Sequence, residues 1–230
     1  MAGHYPVSTF LWYLPEDARA RLLSLGTTVG YGPGHELISQ DEQSHTVFLL
    51  LRAVVKVTGR SENGIETLLA VRVRGDVIGD MAAMADAPHS ATVTTCGRTT
   101  AVVVKGPVFL DFVRRSPAAG LALNRLVGDR LRWANERRLD VAGYGAGVRL
   151  ARVLLSLAHR HGVQTAEGLD IGVPLTQSEL GGLIGAREAT VQKALRELSR
   201  AGLVERGSRR VVITDARRLT AFTSYASDPD

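Results

Sequence analysis

Cysteine is nearly absent: Cys96 is the only one in 230 residues. A single thiol cannot close a disulfide within the chain. It also excludes an all-cysteine metal or iron–sulfur site built by one copy. Its expected role is that of a buried small residue in a reducing, cytoplasmic setting. Long apolar runs are missing too. No stretch of about 18 uninterrupted apolar residues occurs, so no membrane span or membrane partner is expected. The opening MAGHYPVSTFLWYLPEDARARL lacks a basic start followed by an apolar run, so it does not read as a signal peptide. The six histidines (His4, His35, His45, His89, His159 and His161) are scattered. None combines with a second histidine and a carboxylate in a metal-site spacing, so no metal site and no catalytic residue is expected.

Charge is present but uneven. Residues 1–118 carry 11 Lys+Arg and 11 Asp+Glu, whereas residues 119–230 carry 17 and 12, so the whole net charge of +5 lies in the second half. That sign fits a nucleic-acid partner for the C-terminal half. At 230 residues the length fits one or two domains with ample core.

The chain opens with an amphipathic helical region over 8–25, with Leu11, Leu14, Ala18, Leu22 and Leu25 along one side. Short β-prone runs follow at 28–31, 47–51, 54–57, 67–73, 91–95 and 100–104, separated by glycine-rich turn signals. Asn63-Gly64 is a specific hairpin signal among them. Many short strands at regular spacing indicate a sandwich or barrel. A short helix is expected over 107–116. A long one is expected over 118–142, with Leu123, Val127, Leu131, Ala134 and Val141 as its stripe. Three glycines at 143, 145 and 147 then form a flexible joint, followed by a helix from Val148 to His161. A loop or short strand leads on to Pro174, and the tail from Ser224 reads as frayed.

The most informative stretch is LTQSELGGLIGAREATVQKALRELSRAGL at 175–203. A helix over Gln177–Ile184 starts at Thr176, with Glu179 three residues on, the capping-box spacing. Gly185 breaks it at a tight turn. A second helix from Glu188 to Ala201 buries Val191, Ala194, Leu195 and Leu198, one helical stripe. Its other face carries Thr190, Gln192, Lys193, Arg196 and Arg200. Two short strands, Val204–Arg206 and Arg210–Thr214, make a wing around Gly207 and Ser208. A polar, basic helix after a short turn is what a DNA major groove accepts. The alternative is an ordinary helical hairpin with solvated charges.

This order of elements resembles the Crp/Fnr family of transcription regulators along nearly the whole chain. Two motifs carry the resemblance. Gly75-Asp76-Val77-Ile78-Gly79-Asp80 with His89-Ser90-Ala91-Thr92-Val93 resembles the family's phosphate-binding cassette. Leu175 to Leu180, through Gly185 to Thr190-Val191, matches its DNA reader without a gap. The resemblance implies an α+β chain. Its parts are an effector-sensing β-roll of the cyclic-nucleotide-binding type (a double-stranded β-helix) over 1–117, a dimerisation helix over 118–142, a hinge over 143–147 and a winged helix-turn-helix over 148–230. It further implies a homodimer on a pseudo-palindromic operator in double-stranded DNA, with RNA polymerase a further candidate partner.

The implied effector residues are Gly79, Asp80, Met81, His89, Ser90, Ala134 and Asn135. They depart from the cyclic-AMP pattern. Asp80 stands where cyclic-nucleotide binders have a glutamate for the ribose, and His89 stands where they have an arginine for the phosphate. A guanidinium is always charged, whereas a histidine near its ordinary pKa of about 6.5 is mostly neutral at about pH 7.5. Losing a charge-assisted contact costs about 1.5–3 kcal/mol, or about ten- to a hundredfold in affinity. The effector is thus cyclic AMP, cyclic GMP or another small molecule. As an alternative reading, the pocket is vestigial and DNA binding constitutive. His89 itself also reads as a partly exposed loop histidine.

For DNA, the implied contacts are Thr176, Gln177, Ser178, Arg187, Glu188, Ala189, Thr190, Gln192, Lys193, Arg196, Arg206, Ser208, Arg209 and Arg210. Arg187, Glu188 and Ala189 do not keep the family's register, which predicts a different operator. Glu188 accepts from a cytosine amino group or simply favours its helix N-terminus. A metal-dependent cupin-like enzyme, the remote alternative for such a roll, lacks the ligand cluster it needs.

Overall fold

The computed structural model describes residues 5–207 and 209–225. The chain divides into two compact units, Met1–Leu131 and Arg132–Asp230.

The first unit begins with α1 (Phe10–Tyr13) and α2 (Glu16–Leu23). The strands β1 (Thr27–Tyr31), β2 (Glu36–Ile38), β3 (Thr46–Arg52), β4 (Val54–Arg60), β5 (Glu66–Val73) and β6 (Val77–Ile78) follow. Then come α3 (Asp80–Ala85), β7 (Thr92–Thr95), β8 (Thr99–Lys105), α4 (Gly106–Arg115) and the start of α5 (Pro117–Gly143). The strands form two four-stranded antiparallel sheets, ordered β1-β8-β3-β6 and β2-β7-β4-β5. This is the expected β-roll, built from eight strands.

Strand β3 shows why its sequence reads VFLLL without alternation. Val47 and Leu49 pack with Phe10, Leu11, Leu22 and Phe109 in a core between sheet and helices. Phe48 and Leu50 face Ile38, Val55, Ile78 and Val93 in a second core. A strand covered on both faces needs apolar residues at every position. At the β4–β5 hairpin, Asn63-Gly64 forms the turn, with Gly64 at φ 81° and Ser61 N–H donating to Ile65 O at 3.0 Å.

Some elements differ from expectation. The 8–25 region is two helices, because Leu14 and Pro15 are extended. Its Leu11, Leu14, Ala18 and Leu22 are buried, but Leu25 is 41% exposed because it lies past the end of α2. Strands β2 and β6 and helix α3 are too short to show a period. Cys96 is only half-buried, since it sits in the β7–β8 turn. In α5 the buried stripe is Ala119, Ala122, Leu123 and Leu126, whereas Val127, Leu131 and Val141 are exposed. Both stripes satisfy helical spacing, and packing against Phe10 and Phe109 selects the first.

The second unit holds the rest of α5, then α6 (Ala146–His161), β9 (Val163–Gln164) and β10 (Leu169–Asp170). It continues with α7 (Gln177–Ile184), α8 (Glu188–Arg200), β11 (Val204–Arg206), β12 (Val211–Ile213) and α9 (Ala216–Tyr225). The sheet order is β11-β12-β10-β9, all antiparallel, with β11 and β12 forming the wing. Leu150 and Leu154 of α6, Leu180 of α7 and Val191 and Leu195 of α8 are buried. Helix α9 has no expected counterpart. Among its described side chains it buries Leu219 and Thr223, too few to reveal a period, and it includes Ser224 of the tail read as frayed. The rest of that tail, 226–230, and Ser208 of the wing lie outside the described residues.

The glycine run is mostly helical. Gly143 ends α5 and Gly147 lies in the first turn of α6, leaving only Tyr144 and Gly145 between them. An ionic cluster braces this joint. Asp140, 3% exposed, lies 2.8 Å from both Arg137 Nη2 and Arg152 Nε. Arg152 also stacks over the Tyr144 ring at 5.2 Å. Burial lowers the Arg137 pKa, opposed by the charge of Asp140.

Candidate effector pocket and nucleic-acid interface

Gly79 takes a left-handed conformation (φ 81°) between β6 and α3, and a Cβ there would lie 2.2 Å from Thr46 O. Only glycine fits. The turn sets Asp80 at the start of α3, beside a cavity of about 100 Å³. Ile38, Val57, Val77 and Ala91 wall the cavity, with Arg72, Asp80, His89, Ser90 and Arg130 as its polar lining. The roll thus brings together Gly79, Asp80, Met81, His89 and Ser90 of the expected set. Ala134 and Asn135 are exposed on α5 and belong to the second unit.

Asp80 is 2% exposed and already paired. Arg130 Nη1 donates to both its carboxylate oxygens, at 3.2 and 2.9 Å, and Arg130 Nη2 donates to Val77 O at 2.6 Å. The sequence reading missed Arg130. The signal was there: 119, 122, 123, 126 and 130 follow one helical face, and an arginine at the end of an apolar stripe needs an anion. Arg72 is a second missed cation.

His89 is not an exposed loop histidine. It is 5% exposed, because the loop before β3 clasps its backbone. His89 N–H donates to Glu42 O at 3.1 Å and Asp41 N–H donates to His89 O at 2.8 Å. Burial lowers its pKa, with Glu42 opposing and His45 reinforcing the shift. Its Nε2 is buried without a hydrogen-bond partner among the described residues, and so is Arg130 Nε. For a cyclic nucleotide, the ribose side of the cavity has its carboxylate engaged by Arg130. Ser90 is exposed, whereas His89 Nε2 has almost no accessible surface. The space is smaller than the roughly 150 Å³ cavity that holds one benzene ring.

In the second unit, the capping box forms as expected. Glu179 N–H donates to Thr176 Oγ1 at 3.2 Å, and Thr176 N–H donates to Glu179 Oε2 at 2.7 Å. Gly185 is left-handed (φ 61°) at the turn into α8. Ser178, Arg187, Glu188, Ala189, Thr190, Gln192, Lys193 and Arg196 are exposed, while Thr176 and Gln177 are half-buried. A cleft of about 280 Å³ runs between α7, the start of α8 and the wing, lined by Thr176, Gln177, Glu188, Arg206 and Arg209. Arg209 sits at the wing tip in the left-handed region (φ 58°). Arg210 differs from its companions. Its Nε donates to Asp170 at 2.6 Å and its Nη2 lies 3.4 Å from Glu167. Asp170 on β10 faces β12, so the sheet pairing directs this arginine to a carboxylate.

Among the described residues no cluster of three or more His, Cys, Asp or Glu is arranged to hold a metal ion, and no helix is long and apolar enough to cross a membrane.

Comparison with known proteins matches residues 28–116 to the cyclic nucleotide-binding domain and residues 148–222 to the Crp-like helix-turn-helix domain. A CRP-like cAMP-activated global transcriptional regulator of Mycobacterium tuberculosis is 28% identical over 191 residues, 83% of this chain and 85% of that protein. The cAMP-activated global transcriptional regulator CRP of Salmonella typhimurium is 25% identical over 183 residues, 79% and 86% of the two chains. These relatives are transcription regulators, not enzymes. FixK2 from Bradyrhizobium japonicum shares the fold, with a TM-score of 0.74 at 21% identity over 89% of this chain and 98% of that one. With a cyclic nucleotide-binding roll and a Crp-like reader matched in that order, the chain belongs to the Crp/Fnr family of transcription regulators.

Proposed function

We propose that this regulator binds a pseudo-palindromic operator as a homodimer, and that a small effector in the roll cavity sets its DNA affinity. The observation that carries the effector reading is the cavity beside the Gly79–Asp80 turn, whose lining gathers Arg72, Asp80, His89, Ser90 and Arg130. The division of labour is a sensing roll over 1–117, a pairing helix over 118–142, a joint over 143–147 and a reader over 148–230. Leu121, Leu131 and Leu139 on α5, 51, 60 and 69% exposed, support pairing through that helix. A Leu131→Glu variant is expected to sediment as a monomer and lose operator affinity. A Leu131→Glu dimer would refute this interface.

In the reader, Gln192, Lys193 and Arg196 on α8 meet base edges and phosphate, while Arg187, Arg206 and Arg209 hold the backbone. The effector acts only through unequal affinity for two states. The test is operator selection from random DNA, then affinity measured with and without cyclic AMP. The M. tuberculosis and S. typhimurium relatives are cAMP-activated, which makes cyclic AMP the first ligand to try. The closed Asp80–Arg130 pair favours a second reading, in which the pocket is vestigial and DNA binding is constitutive. Unchanged operator affinity across a nucleotide panel would select it.

A further inference from the structure

Helix α5 is attached to the first unit in two ways. Its apolar stripe, Ala119, Ala122, Leu123 and Leu126, is buried, but that stripe ends at Leu126, and Val127 and Leu131 beyond it are exposed. Apolar burial is non-directional, so the stripe alone leaves the helix free to turn slightly about its axis. Past Leu126, directional hydrogen bonds take over. Successive residues of a helix point about 100° apart. Asp129 and Arg130 therefore leave α5 in different directions, and both are engaged.

Arg130 reaches the cavity wall, where its Nη1 donates to Asp80 Oδ2 at 2.9 Å and its Nη2 to Val77 O at 2.6 Å. Asp129 accepts from the Tyr13 hydroxyl of α1. Arg125, one turn earlier on α5, lies over the same ring at 6.0 Å, and Trp12 packs edge-on against it at 5.0 Å. Burial, and then the bond to Asp129, raises the Tyr13 pKa, so the phenol keeps its proton and remains a donor at neutral pH. Helix α1 is itself fixed to the turn that leads into β6: Leu11 N–H donates to Gly75 O at 2.9 Å. The contacts close a ring. It runs from Arg130 to Val77, along the chain to Gly75, across to Leu11, along α1 to Tyr13, and back through Asp129 to Arg130.

We propose that Tyr13 is a positioning residue of the cavity: through Asp129 it sets the rotation of α5 that keeps Arg130 on Asp80 and Val77 O. Asp129 and Arg130 are neighbours in one continuous helix, Pro117–Gly143, so neither shifts without the other. Loss of the phenol hydroxyl leaves Arg130 to hold that rotation alone. The wall at Gly79–Asp80 then loosens, although Tyr13 does not line the cavity. Any event that draws Arg130 away from Asp80 also pulls on the Tyr13 bond, which makes α1 part of the sensing apparatus. This holds whether or not the cavity takes an effector.

The test is hydrogen exchange, read by mass spectrometry, on the full-length protein without ligand. Tyr13→Phe keeps the ring and removes the donor. It is expected to speed exchange in the segment 75–85, which includes the Ala83 N–H bonded to Gly79 O, by about fivefold, the weight of one hydrogen bond. Peptides of β1 and β8 should keep wild-type rates. Arg130→Gln should speed the same segment, and Tyr13→Phe added to Arg130→Gln should speed it no further. Asp129→Leu should match Tyr13→Phe, whereas Asp129→Asn, whose amide oxygen still accepts, should stay near the wild type. Wild-type rates in 75–85 for Tyr13→Phe, with or without acceleration in α1, would overturn the proposal and leave Tyr13 a local support. Even acceleration across the whole unit would make it a general stabiliser, and overturn the proposal too. So would full additivity of Tyr13→Phe and Arg130→Gln, because the phenol would then act by a path that bypasses Arg130.

Discussion

Asp80 and Arg130 make one unit, and neither is neutral to lose. Asp80 is 2% exposed, and the guanidinium is its hydrogen-bond partner among the described residues. Truncating a partner of a buried pair strands the other charge. Arg130→Ala is expected to lower stability by roughly 3 kcal/mol in urea unfolding, and Asp80→Asn in the same background to recover part of it. The wing arginines separate in the same way. Arg209 is exposed at the wing tip, whereas Arg210 is held by Asp170 and Glu167. Arg209→Ala should weaken binding to every DNA sequence alike and reduce the salt slope of log affinity by about 1. Arg210→Ala should change that slope by clearly less. Equal slopes for the two variants would show that Arg210 leaves its carboxylates to meet phosphate. At this scale residue types are legible along the chain, but their engagements are not. Arg206, Arg209 and Arg210 look alike along the chain, and β10, forty residues earlier, distinguishes one of them.

Among the elements, the α5–α6 joint is the one whose sequence misleads most. Three glycines in five residues suggest a loose tether, yet two of them are helical and Asp140 ties α5 to α6 through Arg152. The cluster is close-packed but thinly hydrogen-bonded: Arg137 Nε and Nη1 are buried without partners among the described residues. Such a cluster is expensive to leave half-made. Asp140→Ala is expected to lower stability by roughly 3 kcal/mol and to broaden or split the unfolding transition as the joint loosens. Differential scanning calorimetry on the wild type and the variant checks both. An unchanged profile would mean that the arginines find solvent without cost. By contrast, α7 and α8 were legible almost to the residue. Their signals are local: a capping box, a left-handed glycine and one apolar stripe.

For the whole molecule, the pH dependence of stability follows from His89. Its pKa is lowered in the folded chain, chiefly by burial. The unfolded chain therefore binds the proton more readily, and stability rises with pH through that interval. The contribution is complete above about pH 6.5 and is lost as pH falls through the lowered folded value. Without ligand, thermal stability should thus fall from about pH 6.5 downward more steeply in the wild type than in His89→Gln. Parallel melting curves for the two proteins would show that His89 charges without leaving its site.

Local patterns determined the architecture: short strands with turn punctuation for the roll, a helical stripe after Pro117, and a reader whose cap, turn and buried face are spaced within a few residues. Those signals are short-range, and neighbouring residues generate them through backbone geometry alone. Tertiary structure decided what depends on distant partners. It chose which of two equally spaced stripes on α5 is buried, since Phe10 and Phe109 lie against only one. It put Arg130 fifty residues away onto Asp80 and closed the loop over His89. It directed Arg210 to Asp170 and turned the glycine run into a braced corner. Each of these is a charge or a face finding its counterpart across the fold, and spacing along the chain carries no record of that choice.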